Sequence, residues 1–178
     1  FRLASMLADV PHAHAHHLAE AIPIAGAADA AQALRSSGVV QCREGNYREA
    51  VVAYRRSGAL EAEELAADDA WAFSRSLDLV GEPDAARKLR ADFVGRALSA
   101  QQFDDALRVA TSGLPEAEPL GGDKSLCEML TAIPIDQLSP ERRWSLLLQR
   151  TRQQAILGRL DEADEGSRLT GAAASTPW

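Results

Sequence analysis

One turn pattern constrains this chain more than anything else in it. Gly45-x-Tyr47-x-x-Ala50 recurs as Gly81-x-Pro83-x-x-Ala86 and again as Gly158-x-Leu160-x-x-Ala163, the first two 36 residues apart. Glycine ends a helix, the next large residue packs back into the pair, and alanine lets two helices approach closely. A chain that repeats this device is built from helix pairs. Composition agrees. Alanine and leucine supply 34 and 22 of the 178 residues, against only eight valines and five isoleucines. Strong helix formers therefore dominate over the β-branched residues that strands favour, which excludes an all-β fold.

The remaining breakers divide the chain into segments of helical length. The reading predicts helices over Phe1 to Asp9, His12 to Ile22, and Asp29 to Glu44 with Asp29 as N-cap. Others follow over Tyr47 to Leu60, Glu63 to Val80, Pro83 to Ala100 and Phe103 to Ser112. Gly113, Pro115, Pro119, Gly121 and Gly122 then mark a loop. Asp123 caps an eighth helix ending at Thr131. Ser139 and Pro140 open a ninth, to Leu157, and a tenth runs from Leu160 to Leu169. Some ten helices in one domain, residues 1–170, precede a small polar tail over 171–178 that reads as flexible.

In these residues the chain resembles the tetratricopeptide repeat, a helix–turn–helix unit of about 34 residues. Aligned over residues 31–64, Leu34, Gly38, Gly45, Tyr47, Ala50 and Tyr54 fall on family positions, while Ser57-Gly58 replaces an Ala-Leu pair. Residues 67–100 match less well, with Ser74 at the first glycine position and Pro83 at the aromatic one. Residues 144–177 match at Gly158, Leu160 and Ala163, with Thr151 in place of that glycine. Gln101-x-Phe103-x-x-Ala106 is a further echo, and residues 1–30 read as a degenerate repeat turning at Val10-Pro11. The resemblance implies an all-α fold of antiparallel helix pairs stacked as a right-handed solenoid.

Such a solenoid presents the first helix of each pair on a concave groove. In the family's register, Arg35, Val39, Cys42 and Arg43 face it from the first repeat. Asp68, Trp71, Arg75, Asp78 and Leu79 do so from the second, and Leu148, Arg152 and Ala155 from the last. Arg35, Arg43, Trp71, Arg75 and Arg152 are the expected partner-binding residues, guanidinium forks beside an aromatic anchor. The alternative for each is a core tryptophan and solvated arginines. Some family members clamp a partner's C-terminal carboxylate with lysine and asparagine; Val39 stands where that asparagine would be, which argues against a clamp here.

Other chemistry is thin. His12, His14, His16 and His17 form a cluster in which His12 and His16 share a helix face, a workable pair of metal ligands, with Glu20 one turn further. The competing reading is a solvated histidine face, and no cofactor is expected. Nothing resembles a nucleophile elbow, a C-x-x-C or H-E-x-x-H motif, or a phosphate-cradling glycine loop. A formal charge of −7 argues against direct nucleic-acid binding, and no apolar run spans a bilayer. Cys42 and Cys127 are too few for a disulfide framework, which favours a reduced, cytoplasmic setting. Only two lysines, Lys88 and Lys124, stand in this alanine- and arginine-rich chain, a composition like that of high-GC bacterial proteins.

The expectation is a noncatalytic protein-interaction module that binds a peptide or partner helix, or associates with itself. It would serve as a regulatory or scaffold domain of a larger bacterial protein. The alternative is an all-α metal-dependent enzyme using the histidine cluster.

Overall fold

A computed structural model describes residues 26–60, 64–113 and 123–174. Among them are eight α-helices and one 3-10 turn, with no strand. Helix α1 is Ala27–Arg43, α2 Tyr47–Leu60, α3 Ala67–Leu79 and α4 Pro83–Ser99. Then come α5 (Phe103–Ala110), α6 (Lys124–Ala132), the 3-10 turn Ile135–Gln137, α7 (Pro140–Ile156) and α8 (Leu160–Ala174). The two helices expected before residue 23, and with them the count of about ten, lie outside the described residues. No described helix is long and apolar enough to cross a membrane.

The chain divides into two compact units, the first ending at Ala86 and the second beginning at Arg87. In the first, α1 and α2 form a hairpin and α3 packs against both. Its core is made of small residues around one large ring. Ala50, Ala72 and Cys42 surround Tyr54, with Val39, Tyr47, Trp71 and Phe73 against them. The Phe73 ring stacks on Tyr54 at 4.9 Å. Gly38 makes the close approach possible: a Cβ there would stand 2.6 Å from the Tyr54 ring.

In the second unit α7 is the hub, packing against α5, α6 and α8. Larger aliphatics fill its interior, with Leu107, Leu130, Ile133 and Leu146 fully enclosed. Arg150 of α7 closes the end of α6, its Nη2 donating to the carbonyls of Leu130 at 2.8 Å and Ile133 at 3.1 Å. Burial lowers the Arg150 pKa, and its Nε has no hydrogen-bond partner.

Four interhelical turns share one hydrogen-bond pattern. At the first, the Gly45 N–H donates to the Cys42 carbonyl and the Asn46 N–H to the Gln41 carbonyl. Gly81-Glu82, Gln101-Gln102 and Gly158-Arg159 repeat both bonds onto residues three and five positions earlier. This is the Schellman motif, which needs a left-handed residue at its corner. Gly45 (φ 82°), Gly81 (φ 87°) and Gly158 (φ 74°) supply it freely, whereas Gln101 adopts φ 59° with a side chain attached. The alanines that follow, Ala50, Ala86, Ala106 and Ala163, are all buried. The Gln101 echo is thus a full member of the set.

Three local expectations are corrected. Asp29 is not the N-cap of α1; that position belongs to Gly26, and Asp29 lies in the first turn, where its charge opposes the helix dipole's positive end. Helix α3 begins at Ala67 rather than Glu63. Helix α8 continues to Ala174 through the segment expected to be a flexible tail, because three alanines after Gly171 sustain the helix. Residues 175–178 lie outside the described residues. Asp123 does cap α6, its Oδ1 accepting the Leu126 N–H at 3.1 Å.

Candidate functional site

The expected partner-binding residues fall into different environments. Arg35 is only 6% exposed. Its Nε and Nη2 donate to Gln32 Oε1 at 3.2 and 2.9 Å, and its charge acts on the Asp69 carboxylate. The register placed this side chain in a groove; the structure places it inside the helix packing, where the half-buried Asp69 carboxylate of α3 attracts the guanidinium. Arg43 is exposed in the last turn of α1, where a cation meets the negative end of the dipole.

Trp71 and Arg75 are brought together. Both are half-buried on α3, one turn apart, and the guanidinium lies 5.6 Å from the Trp71 ring centroid. The indole packs in part against the Cys42–Tyr54 cluster. Below the pair, the Tyr54 hydroxyl donates to Asp69 Oδ1 at 3.3 Å. Burial raises the Asp69 pKa, against the Tyr54 bond and the Arg35 charge that lower it, with Asp68 adding to the rise. Burial and then the Asp69 charge hold the Tyr54 phenol far above its ordinary range, so its proton stays in place as the donor. The polar cluster positions α3, and the tryptophan with it, against α1 and α2.

In the second unit Arg152 is exposed on α7, within a line that the sequence reading found only in part. Pro140, Trp144, Leu148, Arg152 and Ile156 follow one another at intervals of four, and all are exposed. Trp144 and Leu148 are each 41% exposed and Ile156 38%. The buried residues of the helix, Leu146, Leu147, Gln153 and Gln154, face away from Leu148. Trp144 and Ile156 were missed because the repeat register named only Leu148, Arg152 and Ala155. A second apolar series at spacing four, beside the one that builds the core, was the signal available.

Two clefts occur, neither lined by these residues. One of about 460 Å³ lies between α7 and α8, with Leu147 and Leu169 as apolar walls and Asp161, Glu162 and Glu165 around it. Another of about 290 Å³ is floored by Val51, Val52 and Val80, with Arg48, Arg55 and Glu82 at its rim. Among the described residues no three His, Cys, Asp or Glu side chains gather in a way that could hold a metal ion. His12 and His16 lie outside the described residues. Cys42 and Cys127 are both buried, free thiols.

Comparison with known proteins finds no family model, no curated protein and no solved structure that matches this chain.

Proposed function

We propose that the chain is a noncatalytic protein-interaction module. Its helix pairs would stack as a right-handed, tetratricopeptide-like solenoid of about ten helices, within a larger cytoplasmic protein of bacterial type. The observation that carries this reading is the exposed ridge of α7. Three large apolar side chains and an arginine stand there in line, while the helix buries a different face in its own unit. Exposed apolar surface that is aligned rather than scattered marks an interaction site. The Trp71–Arg75 pair of α3, with the exposed Leu79 of the same helix, offers a second surface of the same chemistry. Tryptophan and arginine are the residue types that concentrate binding energy at interfaces.

Site-specific photo-crosslinking in the native cell tests the reading. A photoreactive residue at Leu79 or Leu148 is expected to trap discrete protein adducts, while the same residue at exposed Lys88 gives background only. Background at all three positions would overturn it.

A further inference from the structure

We infer that the cleft between α7 and α8 is a binding site for a small primary amine carried on an apolar body, an arylalkylamine. The inference goes beyond the interaction-module reading, since none of the exposed α7 series lines this cleft. The two helices run antiparallel about the Gly158 corner, and that register grades the cleft along its length. At one end Leu147 stands at the level of Leu169, two apolar walls. At the other, Gln154 stands at the level of Glu162, to whose Oε2 its Nε2 donates at 3.0 Å. Between them the helices meet at Thr151 and Gly166. Seven residues of helix separate the two ends, about 10 Å. The volume, about 460 Å³, is that of a small-molecule site and about three times the ~150 Å³ that encloses a benzene ring. A ring at the leucine end and an ammonium at the glutamine end fit both length and volume.

The polar end asks for a donor-rich cation. Gln154 is only 7% exposed, and its bond to Glu162 fixes the amide and leaves Oε1 on the cleft wall with no donor among the described residues. Thr151 Oγ1, one turn earlier in the same lining, is buried without a hydrogen-bond partner. Folded chains leave few polar atoms in this state. An ammonium has three N–H donors and no acceptor, which matches a carboxylate and two neutral oxygens. Three carboxylates line the cleft, those of Asp161, Glu162 and Glu165, against one cation, Arg150. The Arg150 Nη2 is already held by the carbonyls of Leu130 and Ile133. Glu162 and Glu165 reach Arg159 and Arg168 at 3.7 Å, exposed contacts that hold little in water, and Asp161 makes no ion pair among the described residues. Asp161 and Glu165 are four residues apart on α8 and Glu162 and Glu165 three, spacings at which like charges repel. A cation in the cleft relieves that repulsion. A divalent metal is a poor fit, because no three of these groups converge closely enough to hold one.

Isothermal titration calorimetry at neutral pH and low salt tests this with phenethylamine as the probe. Two controls have its shape without its charge, neutral 2-phenylethanol and anionic 3-phenylpropionate. Phenethylamine is expected to bind with a dissociation constant below about 1 mM, the alcohol about tenfold more weakly and the anion not at all. Asp161→Asn combined with Glu165→Gln, two surface substitutions verified as folded by circular dichroism, should weaken the amine about fivefold and leave the alcohol unchanged. Leu169→Ala should instead weaken amine and alcohol alike. No heat from phenethylamine up to about 10 mM would overturn the inference. So would equal binding of amine and alcohol, or an amine affinity indifferent to the double substitution. Tighter binding of N-acetyl-lysine amide than of phenethylamine would also overturn it, by assigning the cleft to a side chain of a protein partner.

Discussion

The α1–α2 hairpin of the first unit and the α7–α8 hairpin of the second solve one packing problem with the roles of their helices exchanged. In the first, the small residue is Gly38 on the leading helix, and the ring that fills the space is Tyr54 on the following one. In the second, the leading helix carries Thr151 at the corresponding position and the glycine has moved across to Gly166, where a Cβ would collide with Thr151 Oγ1. Close approach of two helices needs one small side chain at the crossing, and either helix can provide it. The two crossings differ in how firmly the opposing group is held. Tyr54 is fixed by Phe73 and Asp69, whereas Thr151 Oγ1 is buried with no hydrogen-bond partner.

That difference predicts unequal penalties. Gly38→Ala should cost the most. The new methyl meets a ring that cannot retreat, and overpacking of this kind costs about 2 kcal/mol even after alanine's better helix propensity is included. A urea midpoint equal to that of the native chain would show that the Tyr54 ring is free to move. Gly166→Ala should cost less, about 1 kcal/mol, because Thr151 can turn its hydroxyl away, although its Cβ remains at 3.2 Å. Combining it with Thr151→Ala should recover most of that loss, so the double-mutant cycle should show strong coupling. Additive effects would mean the two residues do not share the crossing.

A smaller effect, of opposite sign, is expected at the turns. Gln101 holds the left-handed corner that glycine holds elsewhere, at a strain that Gln101→Gly would relieve. A gain of about 0.5–1 kcal/mol in unfolding free energy is expected, while Gly45→Ala should lose a similar amount. The smallest effect concerns the pH dependence of the Tyr54 brace. Asp69 has a folded pKa above its unfolded value, so its contribution is fully present below about pH 3.9 and is lost as pH rises through the folded pKa. Asp69→Asn keeps an acceptor for the Tyr54 hydroxyl and removes this titration. Relative to the native chain, the variant should gain stability from pH 4 toward neutrality; a constant difference in urea midpoint across that range would assign Asp69 no such role.

Much of the helical framework could be read in advance because its signals are local. Gly45, Gly81 and Gly158, Pro83 and Pro140, and the Asp123 cap each act through backbone geometry within a few residues of themselves. The errors have the same origin. Asp29 and Gly171 carry local signals that point to a helix boundary, and in each case the helix continues past them. The candidate site was less legible. Arg35, Trp71 and Arg152 look alike on a helical register, each a large side chain projected from the first helix of a pair. Only packing separates them into a buried partner of Gln32, a half-buried ledge under Arg75 and an exposed member of the α7 ridge.

The sequence by itself determined where the described helices turn and that they are helices, since alanine-rich segments, glycine corners and proline starts act through short-range sterics and hydrogen bonds. Which helix gives way at each crossing, and which apolar series of α7 is buried, only the tertiary structure decided. A helix with two apolar faces is locally indifferent to the choice. Burial against α5, α6 and α8 takes one face, and what remains outside is the ridge centred on Leu148.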